Sequence, residues 1–281
     1  MPDPAGAPHP NAPRFTVVAP MLNEADAVMP MAEEIAEACA GLGPFEAIFV
    51  NDGSTDDTAE RIAEARRSHP WLRELRHARP CGQSAAVRSG VLAAQGPYIV
   101  TIDGDNQNPP GEIPKLVRPF LEGARAGERP LGLVAGQRVG RKDTASKRLA
   151  SRLANGLRAR ILGDDTRDTG CGLKAFPRAV FLALPFFDHL HRYLPALVKR
   201  EGYSVMLVDV SHRARETGSS KYTNFGRAFV GVQDLLGVWW LIRRRKLAEV
   251  VALDPGMAAP VETPATAPVA ASAAGMPEQA G

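Results

Sequence analysis

Along residues 14–138, short unbroken apolar runs alternate with stretches in which apolar positions recur every three or four residues. The first kind predicts buried strands and the second amphipathic helices. "RFTVVAP" (14–20), "FEAIFVND" (45–52), "LRELRHA" (72–78), "YIVTID" (98–103) and "LGLVAGQR" (131–138) read as strands. "DAVMPMAEEIAEACAGL" (26–42), "STDDTAERIAEARRSH" (54–69) and "GQSAAVRSGVLAAQG" (82–96) read as helices, two of them closing at a glycine. Strands alternating with helices predict an α/β fold with a mainly parallel, doubly wound sheet. In such sheets ligands bind beyond the carboxyl ends of the strands.

The rest of the chain changes that picture little. Residues 1–13 and 248–281 are rich in Pro and Ala and are expected to be disordered tails. Between them the pattern predicts one catalytic domain over 14–222 and a helical segment over 223–247. A 281-residue chain with 44% hydrophobic and 23% charged residues is long enough for one large core. The net charge of +3 does not by itself imply nucleic acid, and no aromatic residues interleave with the basic ones as a single-strand binder needs. Cys39, Cys81 and Cys171 are far apart and lack a CxxC spacing, so reduced thiols are expected rather than zinc or disulfides. No secretory leader is read at the start, and no run reaches the roughly 18 apolar residues of a membrane span.

Polar clusters fall at the predicted strand ends. Pro20, Asn23 and Glu24 follow the first, and Asp52, with Gly53 permitting a tight turn, follows the second. "TIDGDNQNPPGEIP" (101–114) follows the fourth, with Pro109 and Pro110 arguing against a helix there. Asp103, Asp105 and Gln107 leave that strand at alternate positions, and such oxygens suit a hard divalent cation. Arg138, Lys147, Arg148, Ser151 and Arg152 form a basic group. Arg215, Ser220, Lys221 and Tyr222 surround Gly218, where a close backbone approach and charge suit an anion. Taken singly, each cluster reads as well as a helix cap, a self-satisfied turn or a solvated face.

Their order is more specific. "VVAPMLNEAD", "FVNDGSTDDT", "GQSAAVRSG", "DGDNQNPP", "GQRVGRKD", "RDTGCGLKAF", "HRYLPALVKREGY" and "RETGSSKY" together resemble the family-2 glycosyltransferases of GT-A fold. The nearest group is that of the dolichyl-phosphate mannose synthases and polyprenyl-phosphate glycosyltransferases, over about residues 14 to 245. The resemblance implies transfer of a hexose, mannose or glucose, from a GDP- or UDP-sugar to a polyprenyl phosphate, with inversion and with Mg²⁺ or Mn²⁺. It implies that Pro20, Asn23, Glu24, Asp52 and Asp103 hold the nucleotide sugar. Asp105 and Gln107 would ligate the metal, and Arg138, Lys147, Ser151, Arg215, Ser220 and Lys221 would hold the acceptor phosphate. Asp103, Asp105, Arg138 and Arg215 carry the catalytic roles. Asn106 and Asn108 depart from the family's metal motif, and Glu112 falls one place late because Gly111 precedes it. Cys171 stands where serine is common, beside Asp168. His191 and Arg192 read either as neighbours of the acceptor or as ordinary helix residues.

"YTNFGRAFVGVQDLLGVWWLIRRRK" (222–246) is broken by Gln233 and Asp234, and Trp239 and Trp240 precede Arg243–Lys246. This suits an amphipathic helix on an anionic leaflet. It predicts a peripheral, monotopic protein on the cytoplasmic face of a membrane, and leaves room for a separate membrane protein as partner. A helix packed on the catalytic domain, or in a dimer interface, is the other reading. A transferase acting on a soluble sugar or protein, and an inactive nucleotide-sugar-binding scaffold, are the rival functions.

Overall fold

A computed structural model describes residues 11–124, 129–139, 156, 158–164, 166–213 and 224–246, with the main chain alone over 224–229. Seven strands form one sheet: β1 (Phe15–Met21), β2 (Phe45–Asn51), β3 (Leu72–Arg76), β4 (Tyr98–Thr101), β5 (Leu131–Arg138), β6 (Lys174–Pro177) and β7 (Ser204–Val210). Their order is β3-β2-β1-β4-β6-β5-β7. Every pairing is parallel except those of β6, which runs antiparallel to β4 and to β5. The expected α/β sheet is therefore present, mixed by one strand.

The helices are α1 (Ala25–Cys39), α2 (Thr58–Ser68), α3 (Gln83–Ala93), α4 (Ile113–Leu121), α5 (described over 158–162), α6 (Arg178–Ala183), α7 (Leu190–Arg200) and α8 (Asn224–Arg243). They cover both faces of the sheet. Val28, Met31 and Ile35 of α1, Ile62 of α2 and Leu116 and Phe120 of α4 bury against Val17, Ala19 and Phe49. Val87 and Val91 of α3, Phe181 of α6, Leu194 and Leu197 of α7 and Val238 of α8 bury against Val18, Ile48 and Leu133. Adjacent residues of β1 thus serve opposite cores, as period-two side chains must.

Strands β6 and β7 and helices α4 and α6 are additions to the sequence reading. β6 is four residues long and carries a buried lysine, and β7 is an edge strand whose side chains are mostly half-buried. β6 is too short to announce a strand, whereas the Val205–Val208 run of β7 carries a strand pattern that the sequence reading did not take up. Pro109 and Pro110 do not keep helix out of their stretch: a 3₁₀ turn runs over Pro110–Glu112 and α4 follows at once. Proline is tolerated in a first turn because its missing N–H would have had no helical partner.

Of the two readings of segment 223–247, the described part of α8 shows packing on the catalytic domain. Leu235, Trp239 and Ile242 join its second core. Asp234 accepts from His189 Nδ1 at 2.9 Å, Gly231 O accepts from the Tyr193 hydroxyl at 3.2 Å, and Leu241 O accepts from Arg200 Nε at 3.0 Å. So Asp234, which breaks the apolar run in the sequence, faces His189, the residue that caps the start of α7. The opposite stripe, Val232, Leu236 and Trp240 at four-residue spacing, is 55–59% exposed. Arg243 lies over the Trp239 ring at 4.4 Å and Arg244 over Trp240 at 5.8 Å. Among the described residues no helix is long and apolar enough to cross a membrane.

Candidate active site

The carboxyl ends of β1, β2 and β4 open into a cavity of about 430 Å³. Pro20, Glu24, Asp52, Asp103 and Asp105, all singled out from the sequence, line it together with Gln83, Gly170, His191 and Arg192. The crossover topology brings the first five of these residues together, since they come from the ends of three strands, β1, β2 and β4.

Asp103 is the most constrained of them. Gln83 Nε2 donates to its Oδ1 at 2.7 Å and Asn108 Nδ2 to its Oδ2 at 2.8 Å. Gly172 closes on it from β6's side: a Cβ there would stand 2.2 Å from Oδ1 and 2.3 Å from Cγ. Burial first, then the Asp105 carboxylate, push the Asp103 carboxyl above its ordinary range, while Lys174, Arg138 and the Asn108 amide pull it back. Lys174 is itself buried, with its Nζ donating to Cys171 O, and burial pushes its ammonium below the ordinary value. Asn108 therefore has a role that its sequence position did not disclose. Asn106 turns the loop in the left-handed region, at φ 55°, which asparagine tolerates better than most residues. Glu112, displaced by one place, accepts from the Ser211 amide and hydroxyl and ties the loop to the end of β7.

Asp105 accepts from the Gln107 amide at 3.2 Å through Oδ1. Its Oδ2 has no hydrogen bond among the described residues. A hard carboxylate oxygen left open at a cavity wall, with Glu24 and Asp103 on the same wall, fits Mg²⁺ or Mn²⁺. Gln107 presents its carbonyl to the Arg213 amide at 2.8 Å and does not line the cavity.

Asp52 accepts from the Cys81 amide at 2.9 Å, the Gly82 amide at 2.8 Å and His77 Nδ1 at 2.6 Å. Two of these go to Oδ1, so one lone-pair direction on Oδ2 is left for a ligand N–H. Gly53 lets the chain pass at φ 72°, and a Cβ there would stand 2.6 Å from Arg79 C. Asp52, His77 and Cys81 also bring three ligand-type atoms within 4.8 Å of one another. Hydrogen bonds already knit this trio, and its sulfur and nitrogen suit softer metals than Mg²⁺. Asn23 lies outside the cavity wall: its Oδ1 accepts from the Thr55 amide at 2.8 Å and joins the two loops.

Arg138 is paired within the protein. Its Nε and Nη2 make a bidentate contact with Asp168 at 2.6 and 2.9 Å. Gln137 Oε1 holds the amides of Arg167 and Asp168, both at 3.0 Å. Lys147, Ser151, Arg215, Ser220 and Lys221 lie outside the described residues. His191 and Arg192 do line the cavity, at the start of α7. His191 Nδ1 meets Ser84 Oγ at 2.7 Å, and burial, then the charges of Lys174 and Arg192, lower its pKa to about 3. The sequence reading passed over Gln83, Asn108, Gly172 and Lys174 as site residues. All four lie within the quoted motifs "GQSAAVRSG", "DGDNQNPP" and "RDTGCGLKAF".

A mixed sheet of this order, with carboxylates gathered beyond its strand ends, defines a GT-A fold. Solved structures of glucosyl-3-phosphoglycerate synthase from Mycobacterium tuberculosis share it. The complex with Mn²⁺, UDP-glucose and phosphoglyceric acid superposes with a TM-score of 0.60 at 21% identity, covering 82% of this chain and 79% of that one. The complex with Mg²⁺ and UDP gives 0.58 at 20% identity over 82% and 79%. The chain belongs to glycosyl transferase family 2, whose model matches residues 16–184. Its relatives include dodecaprenyl-phosphate galacturonate synthase of Rhizobium johnstonii, 36% identical over 82% of this chain and 67% of that protein. Undecaprenyl-phosphate 4-deoxy-4-formamido-L-arabinose transferase of Pectobacterium carotovorum is 35% identical over 74% and 62%. The chain thus spans about two thirds of the length of these relatives. Neither name carries mannose or glucose.

Proposed function

We propose that this chain transfers a sugar, with inversion, from a nucleotide sugar to a polyprenyl phosphate. The observation that carries this reading is the convergence of Glu24, Asp52, Asp103 and Asp105 on one cavity. The relatives' names supply the acceptor class. The attacking oxygen belongs to a phosphate monoester, already anionic near pH 7 because its second pKa is about 6. It needs no strong base, and His191, with its pKa near 3, is too weak a base to take a proton there.

In this reading Asp52 receives an N–H of the nucleotide base on its open lone pair. Asp103, held by Gln83 and Asn108, orients the donor. Asp105, with Gln107, holds a Mg²⁺ or Mn²⁺ ion, which when bound supplies Lewis-acid neutralisation of the leaving diphosphate. Arg138, Lys147, Ser151, Arg215, Ser220 and Lys221 hold the acceptor phosphate in line with the anomeric carbon. Arg138 does so as a guanidinium already fixed in plane by Asp168.

The acceptor's lipid places the enzyme at a membrane surface, on the cytoplasmic face. The exposed Val232–Leu236–Trp240 stripe and the Arg243–Lys246 cluster suit an anionic leaflet. A separate membrane protein is an additional partner in this reading.

The test is a panel of UDP- and GDP-linked sugars with undecaprenyl phosphate, scored for lipid-linked product. Uronate and 4-amino-sugar donors enter beside mannose and glucose because the relatives' names carry galacturonate and a formamido-arabinose. Product that requires Mg²⁺ or Mn²⁺, and that falls at least a hundredfold in Asp105→Ala, is the expected result. Full transfer by Asp105→Ala would sink the metal assignment. Transfer to soluble sugars alone would favour the rival acceptor class.

A further inference from the structure

The cations around the cavity differ in one respect. Arg138 is clamped by Asp168, Lys174 is sealed under Cys171 O, and Arg213 makes a bidentate pair with Glu34 at 2.7 and 2.9 Å. Arg192 lines the cavity, yet its guanidinium has no hydrogen bond or ion pair among the described residues. It sits in the first turn of α7, a turn that holds no acidic residue. The amide dipoles there favour an anion and oppose a cation, so the placement costs stability. That turn itself supplies no compensating anion.

The neighbouring residue is arranged to permit this. His191 shares the cavity wall, and its Nδ1 is taken by Ser84 Oγ at 2.7 Å. Ser84 is buried in the first turn of α3, so the contact pins α7 to α3 beside Gln83, the residue that holds Asp103. We propose that Arg192 is a ligand for a substrate oxyanion in this cavity, and that the Ser84–His191 contact is what positions the turn that carries it. A guanidinium fork binds carboxylate or phosphate oxygens in a bidentate manner, which an ammonium cannot reproduce. The inference rests on the proposed function only for which substrates supply the oxyanion. Three groups share the chemistry: a carboxylate on the donor sugar, the donor diphosphate and the acceptor phosphate.

The experiment compares the full chain with Arg192→Gln and Arg192→Lys. Calorimetric Kd values are measured for UDP- and GDP-glucose and for UDP-galacturonate, with KM for undecaprenyl phosphate beside them. Arg192→Gln is expected to raise one class of these constants at least tenfold, with partial recovery in Arg192→Lys and an unchanged melting temperature. Selective weakening of UDP-galacturonate identifies the sugar carboxylate. Equal weakening of all nucleotide sugars identifies the diphosphate, and a raised lipid KM alone identifies the acceptor phosphate. Constants within twofold of wild type throughout overturn the proposal, as does a lowered melting temperature that Arg192→Lys does not rescue. The Kd values need no turnover, so loss of the proposed transfer reaction and loss of this inference are separately visible.

Discussion

Replacing Gly172 with alanine would move the Asp103 carboxylate and almost nothing else. The new methyl would stand 2.2 Å from Asp103 Oδ1, 2.3 Å from Cγ and 2.4 Å from Oδ2. Van der Waals contact requires about 3.3 Å, so the carboxyl group must retreat by roughly 1 Å. Its two anchors, Gln83 Nε2 at 2.7 Å and Asn108 Nδ2 at 2.8 Å, cannot both follow. A displacement of about 1 Å at a reacting centre costs on the order of a hundredfold in rate. The atoms that must give are the end of a side chain, so the fold should lose only about 1 kcal/mol. For a domain of this size that is a fall of about 2–4 °C in melting temperature. The assay is kcat/KM for sugar transfer beside a thermal melt. A Gly172→Ala enzyme with wild-type kcat/KM would refute the reasoning, because it would show that the position of Asp103 is not critical.

Three further expectations follow from the geometry. Asp52→Ala strips the acceptor from the Cys81 and Gly82 amides and from His77, and is expected to cost about 2–4 kcal/mol in a denaturant titration; a loss below 1 kcal/mol would contradict the anchoring role. His191 has a folded pKa near 3 against an ordinary value of 6.5, so the unfolded chain takes up the proton first as pH falls. Its contribution to stability is present above pH 6.5 and is lost toward pH 3, and His191→Gln should flatten that limb of a stability-versus-pH curve. Trp240→Glu and Leu236→Glu alter exposed positions, so melting should move by less than about 0.5 kcal/mol while binding to anionic vesicles drops severalfold; unchanged vesicle binding would remove the stripe from the membrane contact.

Local pattern in the sequence determined the alternation of strands and helices, the parallel majority of the sheet and the placing of Pro20, Glu24, Asp52, Asp103 and Asp105 at strand ends. It did so because a strand buried on both faces must be continuously apolar, as β5 is from Leu131 to Gly136, and because a polar cluster after such a run has only a loop to occupy. The pattern could not show β6, whose four residues carry Lys174 inward, since the charge is tolerated only through carbonyls and an aspartate supplied by other segments. Nor could it show that Asn108 and Gln83 hold Asp103, that Gly172 leaves room for it, or that Arg138 is already paired. Apart from the Asn108 contact, which spans five residues of one loop, each of those facts joins residues far apart along the chain. Arg192 makes the same point: in sequence it is one cation in a basic helix, and only the closing of α7 over the strand ends puts it on the cavity wall with no ion pair among the described residues.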